Sequence, residues 1–369
     1  MKAPSPKVLI LHPDLNLLGG IESYYRKMDA YFTIDPGHLV IGKRPGEAGR
    51  MVMVQRLLGD YWQFFRRLKR DQYDLVLLNP SLSRKAIIRE GFFLRLARLR
   101  GKKTVVFFRG WEQDFAAELA GRRRWLFDRL FKDADAFIVL AEAFRRTLRE
   151  WGCSQPIHRE VTVAEDQLMD RLDFPGTLEA RLNDSVWRII FPSRILKSKG
   201  VYELVDAYAL VKAQHPNLEL LILGDGEEMS ALQNYAAQQR IDGIRFTGYV
   251  DGEVKHRLFR SAHLLCFPTR HEEGMPNTLV EAMAFGLPVV TRLAGGIGDF
   301  FREGEHGFAT DSADPQVFAA LIEKLYRDRE LYRRISINNF EYASTHFRAS
   351  QAAARLEAIF ASVMESSDW

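Results

Sequence analysis

Cysteine is nearly absent, with two in 369 residues, Cys153 and Cys266. Two thiols cannot build a disulfide framework or a four-ligand zinc site, and so sparse a usage suits a reducing compartment. Long apolar runs are missing as well. No stretch approaches the ~18 consecutive apolar residues that a membrane-spanning helix needs. The one apolar run near the N-terminus, residues 8–11, is closed by His12, Pro13 and Asp14, too short for the core of a signal peptide. Secreted, disulfide-rich and membrane-spanning classes are therefore not expected. The sequence also shows no short-period repeat, no low-complexity tract and no recognised RNA- or DNA-binding module.

What is present is an ordinary globular composition, 47% hydrophobic and 27% charged, able to bury a full core. The net charge of +4 conceals an asymmetry. Residues 1–185 hold 32 Lys+Arg against 24 Asp+Glu, and residues 186–369 hold 20 against 24. A basic first half suits an acidic partner: a nucleic acid, an anionic membrane surface or a phosphorylated substrate. The lack of a nucleic-acid module disfavours the first of these.

Short β-branched runs at 7–11, 75–78, 104–108 and 136–140 read as buried strands, because each is apolar and bounded by polar or turn residues. Amphipathic helical patterns at 21–32, 86–100 and 122–131 lie between them. The rhythm restarts with strands at 186–191, 218–223, 244–246, 264–267 and 288–290. Helices are expected at 202–215, 229–239, 278–285 and 315–327. This alternation predicts an α/β fold of parallel sheets covered by helices, in two doubly wound domains. The breakers Phe174-Pro175-Gly176-Thr177 and Asn183-Asp184-Ser185 place the join within 173–185, and 349–364 reads as a final amphipathic helix.

Four local patterns carry chemistry. Gly19-Gly20 follows the first strand and opens a helix, where free N–H groups can meet a phosphate; a plain tight turn would look the same. The loop lacks G-x-G-x-x-G, and so does Gly224-Asp225-Gly226, which has Met229 where the third glycine belongs, so a nicotinamide enzyme is disfavoured. Arg194 and Lys199 lie just past the carboxyl end of a strand, where ligands of open α/β sheets bind. A fork and a point charge there suit a diphosphate, although a solvated basic turn is the plainer reading. Thr269 to Met283 joins a loop with Gly274 to a helix opened by Pro276. Amides of residues 275–279 would face an anion or sugar hydroxyls. Glu273 and Glu281 stand about 10 Å apart at 1.5 Å rise per residue, too far for the paired carboxylates of a retaining glycosidase. They suit two hydrogen-bond acceptors for one extended polyhydroxyl ligand, or a surface helix with an incidental capping carboxylate. His271-Glu272 is no zinc signature, because Met275 stands where H-E-x-x-H needs its second His.

Taken in order, Glu273-Gly274-Met275-Pro276, Glu281 to Pro288, Gly295-Gly296 and Glu303 to Phe308 resemble the E-x7-E signature of family 4 retaining glycosyltransferases. Arg194 and Lys199-Gly200 match that family's diphosphate-gripping pair, and Gly224-Asp225-Gly226, residues 246–250 and Gly19-Gly20 fall where similar proteins have nucleotide and phosphate loops. The resemblance is specific over residues 188–310 and thin before them. It implies a GT-B architecture of two facing Rossmann-like domains. Residues 1–173 would bind acceptor, 186–348 would bind the nucleotide sugar, and the helix 349–369 would return to the first domain. By the same resemblance, Arg194, Lys199 and Glu273 are catalytic, Lys199 and Arg194 steadying the departing diphosphate and Glu273 a sugar hydroxyl. Gly19, Gly20, Gly226, Tyr249, Val250, Gly274, Met275, Pro276, Asn277, Thr278, Leu279 and Glu281 would bind donor, Glu281 at the ribose. No metal or other cofactor is implied. Two departures stand out: Arg109-Gly110-Trp111 where many relatives have a His, and residues 161–166 in place of N-G-V-D. Arg109 and Trp111 are accordingly the acceptor candidates, Arg109 either reading an anionic acceptor or pairing with Glu112 or Asp114.

The expected activity is retaining transfer from a nucleotide-diphosphate sugar to a glycan or lipid-linked acceptor, in bacterial cell-surface polysaccharide or lipopolysaccharide synthesis. A nucleotide-sugar epimerase on the same fold and a non-catalytic binding protein remain alternatives. A cytoplasmic, peripheral location is expected. Residues 84–103 carry eight cations and one anion, and Ile87, Ile88, Phe92, Leu96 and Leu99 recur near helical spacing, so this segment, helped by the basic run 122–127, is expected to dock on an anionic inner-leaflet surface.

Overall fold

The computed structural model describes residues 6–17, 19–47, 49–271 and 274–365. It divides into two compact units, Met1–Val163 with Ala349–Trp369, and Ala164–Arg348.

In the first unit the strands are β1 (Val8–His12), β2 (Gly37–Val40), β3 (Leu75–Leu78), β4 (Ser81–Leu82), β5 (Lys103–Phe107), β6 (Gly110–Trp111), β7 (Ala136–Val139) and β8 (Ile157–Arg159). Six form an all-parallel sheet in the order β2-β1-β3-β5-β7-β8, while β4 and β6 pair separately. Every residue of β1, β3 and β7 is buried, which explains their unbroken apolar sequence: helices cover both faces. The helices α1 (Gly20–Met28), α2 (Arg50–Arg70) and α3 (Arg84–Leu99) supply three of the crossovers. Strand order reverses between β1 and β3. There Asn79 ties the two strands together, its Nδ2 donating to Leu11 O (2.9 Å) while its Oδ1 accepts from Tyr25 Oη (2.9 Å).

The C-terminal helix Ala349–Glu365 packs on α1 in this unit. Arg355 forks onto the buried Glu160 through Nε and Nη2 (3.0 and 2.9 Å), and Glu357 accepts from the amides of Thr33 and Ile34.

The second unit has β9 (Trp187–Pro192), β10 (Leu218–Leu223), β11 (Ile244–Gly248), β12 (Leu264–Phe267), β13 (Val289–Thr291) and β14 (Gly307–Ala309). They form a parallel sheet in the order β11-β10-β9-β12-β13-β14. Counting within the unit, this is the doubly wound 3-2-1-4-5-6 pattern, whose ligand crevice lies outside the strand ends where the order reverses. That point is between β9 and β12.

The units divide between Val163 and Ala164, ahead of the break expected within 173–185. The helix Phe174–Leu182 is fastened to the second unit by groups whose partners are remote in sequence. Phe174 stacks on Phe340 at 4.2 Å. Arg181 is buried, and its guanidinium donates to three carbonyls, of Arg260, Phe285 and Phe259, at 2.8–3.0 Å. The breakers mark the ends of this helix, not the edge of a domain. Helix α2 and the short strands β2, β8 and β14 have no counterpart among the sequence-expected elements. The three strands hold three or four residues each, too few for a legible apolar run.

Candidate active site

At the reversal in the second unit, Arg194 is exposed just past β9, and the turn Lys197–Lys199 follows it. Lys199 is buried, 3% exposed, with Nζ 5.8 Å from the Phe267 ring centroid. Burial first, and the Arg194 charge second, pull its pKa down to about 7. An ammonium in so dry a place gains when an anion arrives. Gly200 makes the position possible. Its φ is +76°, and a Cβ there would fall 2.2 Å from Pro268 O, so only glycine lets the chain turn against the end of β12.

The loop after β12 is sewn to this turn. The amides of Arg270 and His271 both donate to Ser198 O (2.8 and 3.1 Å), and Arg270 pairs with Glu203 at 2.7 Å. His271 thereby comes under the influence of both cations: burial and then Lys199 and Arg194 lower its pKa. The helix Asn277–Ala284 starts beside the end of β9, because Thr278 Oγ1 donates to Pro192 O at 2.8 Å. Ahead of the first helical hydrogen bond, the amides of Asn277 and Thr278 have no intrahelical acceptor. One turn further on, Glu281 Oε2 lies 2.7 Å from Lys255 Nζ, on the helix Gly252–Ser261. Burial alone would lower the Lys255 pKa; the Glu281 charge and hydrogen bond reverse that and leave it raised. The cationic turn, the loop after β12 and the start of a helix thus share the end of the sheet where a doubly wound fold binds its ligand.

Two family models match the chain: "Glycosyl transferases group 1" over residues 179–342 and "Glycosyl transferase 4-like domain" over residues 37–163. The chain belongs to the family 4 glycosyltransferases. Among curated relatives, it is 27% identical over 189 residues to the capsular polysaccharide biosynthesis glycosyltransferase CapM of Staphylococcus aureus, covering 51% of this chain and 49% of that protein. It is 32% identical over 149 residues to the lipopolysaccharide core biosynthesis glycosyltransferase LpsE of Rhizobium meliloti, covering 40% and 42%. The chain therefore spans about half the length of the curated relatives it matches. The whole fold is GT-B: Anabaena HepE in complex with UDP-glucose superposes with a TM-score of 0.74 at 18% identity, over 97% of this chain and all of that one.

Within this family member, the sequence-expected donor residues are not equivalent. Glu273 lies outside the described residues. Gly274, Met275 and Pro276 are buried, as is Leu279, whose amide donates to Pro276 O (3.2 Å) and is not open to a ligand. The Thr278 hydroxyl is committed to Pro192, so this residue offers its backbone. Gly226 is explained by packing, since a Cβ there would fall 2.4 Å from Ile195 O. Tyr249 is exposed and donates to Asp251 Oδ2 (3.2 Å), and Val250 is half-buried. Lys255 and His271 are the residues that sequence reasoning missed. Lys255 belongs to no motif, and His271, inside the Thr269–Met283 segment, was weighed only as a zinc ligand; both are placed by partners far along the chain.

The first unit corrects two expectations. Trp111 is not available to an acceptor: it is 5% exposed, stacked on Phe144 at 4.3 Å with the planes 3° apart, inside the hydrophobic core. At Gly19-Gly20, the Glu22 carboxylate lies against the turn: a Cβ on Gly19 would fall 2.2 Å from its Oε2. The amides expected to meet a phosphate thus open beside an anion of the chain's own, whose pKa burial raises and the nearby Glu22 and Ile21 backbone N–H groups lower in part. Arg109 pairs with neither Glu112 nor Asp114. Its guanidinium lies between the Tyr24 and Phe107 rings, 3.8 and 4.3 Å from their centroids, and Nε and Nη1 are buried without hydrogen-bond partners among the described residues.

Proposed function

We propose that this glycosyltransferase moves a sugar, with retention of anomeric configuration, from a nucleotide-diphosphate sugar to a glycan or lipid-linked acceptor in cell-surface polysaccharide or lipopolysaccharide synthesis. The observation that carries the reading is Lys199: a desolvated lysine beside Arg194, at the ligand-binding end of a doubly wound sheet. The names of CapM and LpsE and the UDP-glucose complex of HepE support the substrate class.

In this mechanism the bond between the anomeric carbon and the diphosphate oxygen breaks as the acceptor hydroxyl oxygen bonds to the same face of that carbon. The acceptor proton passes to the departing phosphate oxygen. Arg194 and Lys199 stabilise the charge that develops there, which makes a metal unnecessary. Glu281, held by Lys255, accepts from the ribose hydroxyls, and Glu273 from a sugar hydroxyl. Residues 249–250 lie beside the base. Arg109 reads an anionic group of the acceptor. The enzyme works at the cytoplasmic face of the membrane.

A thermal-shift screen of nucleotide sugars finds the donor, since ligand at 100 times Kd stabilises by about 2.7 kcal/mol. Transfer is then followed by NMR of the product anomer, with and without EDTA. Arg194→Ala and Lys199→Ala are each expected to lower turnover by roughly 10²-fold. Donor consumption without an acceptor would point to an epimerase, an inverted anomer would rule out retention, and loss of activity in EDTA restored by Mg²⁺ would rule out the metal-free step.

A further inference from the structure

Of the sixteen large apolar side chains exposed among the described residues, ten lie on α2 and α3. On α2, Val54, Leu58 and Trp62 recur at four-residue spacing, with Met51 before them and Phe65 after, so they form one stripe about 21 Å long at 1.5 Å rise per residue. The start of the helix is apolar on every side: Met51, Val52, Met53 and Val54 are 75, 43, 47 and 57% exposed. Beyond residue 54 α2 is fastened down, by Arg56 pairing with Glu47 (2.5 Å), by Phe64 and Tyr61 against Phe93 (5.1 and 4.4 Å) and by Tyr61 Oη donating to Arg89 O (2.9 Å). On α3, Ile88, Phe92 and Leu99 continue the surface, and Phe92 meets the Tyr61 ring at 6.2 Å.

The expected amphipathic face of α3 is therefore corrected, because Ile87 is buried in the core and Leu96 packs against it. The electrostatics change as well. Among the cations of residues 84–103, Arg84, Arg89, Arg95, Arg98 and Lys103 are paired with Glu118, Glu90, Asp133, Asp135 and Asp135. The cations that border the apolar stripe are others. Arg66 lies 4.5 Å over the Trp62 ring and Arg100 lies 3.9 Å over Phe65. Lys69 stands exposed one helical turn past Phe65.

We propose that α2 is the element by which this protein docks on an anionic lipid surface, residues 51–54 with Leu58, Trp62 and Phe65 entering the interfacial layer while Arg66, Lys69 and Arg100 meet the headgroup phosphates. An exposed apolar stripe edged by cations stacked on aromatic rings matches a surface that is apolar below and anionic above. A second copy of the chain fits less well, because Asp60, the one carboxylate of α2, is buried and paired with Arg44, so a partner α2 would offer these cations no counter-charge. No helix among the described residues is long and apolar enough to cross a membrane, so contact at the interface is the geometry available to these side chains. The proposal deepens the proposed function by naming the partner of the acceptor-binding unit, and it rests on that reading only for its biological purpose.

The test is co-sedimentation of the full chain with vesicles of phosphatidylcholine alone or mixed with phosphatidylglycerol, beside its oligomeric state by light scattering. The wild type should pellet with the anionic vesicles and only weakly with neutral ones. Leu58→Glu/Trp62→Glu should lose roughly ten-fold or more of the bound fraction, and Arg66→Glu/Lys69→Glu should lose most of its preference for anionic lipid, both with unchanged Tm. Met51→Asp/Val54→Asp, at the free end of the helix, should repeat the loss with the least effect on folding. Equal pelleting of wild type and the apolar variants overturns the proposal, as does a wild-type dimer that these variants dissolve. Nucleotide-sugar binding in solution reads the transferase assignment separately, so either idea can fail without the other.

Discussion

Lys255 and Glu281 form an ion pair at 2.7 Å between two helices of the second unit, and their side chains are 22% and 13% exposed. Removing one partner takes from the other, partly buried, its counter-charge at 2.7 Å. Lys255→Met should destabilise the protein by about 2 kcal/mol, below the range for fully buried pairs because water reaches this one. Glu281→Gln/Lys255→Met should cost clearly less than the two single changes added together. Urea denaturation of the four proteins measures this, and strict additivity would show that the pair does not act as a unit.

Lys199 sets the pH dependence of donor binding. In the free site its pKa is about 7, and a bound diphosphate favours the charged form, so binding takes up a proton above that pH. Below pH 7 the lysine is already charged and affinity should be flat. Above it, affinity should fall by up to about ten-fold per pH unit. Calorimetry with the donor in two buffers of different ionisation enthalpy detects the proton directly. Constant affinity from neutral pH into the alkaline range would contradict the assignment.

Gly200→Ala should cost about 2 kcal/mol or more, since it combines a positive φ with a Cβ 2.2 Å from the Pro268 carbonyl. Relief of the clash would displace Lys199, so donor affinity should fall with stability. An alanine variant that melts and binds like the wild type would mean the turn is not held where the structure has it.

His263 and His306 make the fold acid-sensitive. Both are 1% exposed, and burial brings each to about 4. Each uses Nδ1 to accept a backbone amide, from Arg188 and from Arg302, so protonation would put two donors face to face. The unfolded chain takes up these protons near pH 6.5 while the folded chain does not. Stability is therefore fully present above about pH 6.5 and is lost as the pH falls toward 4, by about 2 kcal/mol for each histidine at pH 5. Denaturation midpoints between pH 7 and 5 should show this slope, and His263→Gln/His306→Gln should flatten it.

The two acceptor candidates should separate cleanly. Trp111→Ala empties a core site and should destabilise by about 3–5 kcal/mol. Arg109→Met keeps the stack between Tyr24 and Phe107, so it should leave the fold intact and, if the arginine reads an anionic acceptor, raise acceptor KM with little change in donor affinity. A Trp111→Ala protein of normal stability, or an unaltered acceptor KM for Arg109→Met, would reverse these roles.

The α/β class, most strands of both sheets and the cationic turn facing the loop after β12 were legible in sequence because their signals are local. An unbroken apolar run makes a buried strand, and glycine or proline punctuates it. Arg194, Lys199 and the Glu281 helix stand at strand ends in the same order along the chain as in the fold. What only the tertiary structure decided depends on residues that meet across long sequence separations. The helix Phe174–Leu182 joined the second unit because Arg181 found three carbonyls there. Trp111 left the candidate site because Phe144 stacks on it. The basic face of α3 lost most of its charge to Glu118, Asp133 and Asp135, while α2, unremarkable in sequence, kept its apolar stripe because no described residue of its own unit covers it. A side chain's type and its spacing along a helix are fixed by sequence; which groups neutralise, bury or leave it exposed is fixed by the packing of the rest of the chain.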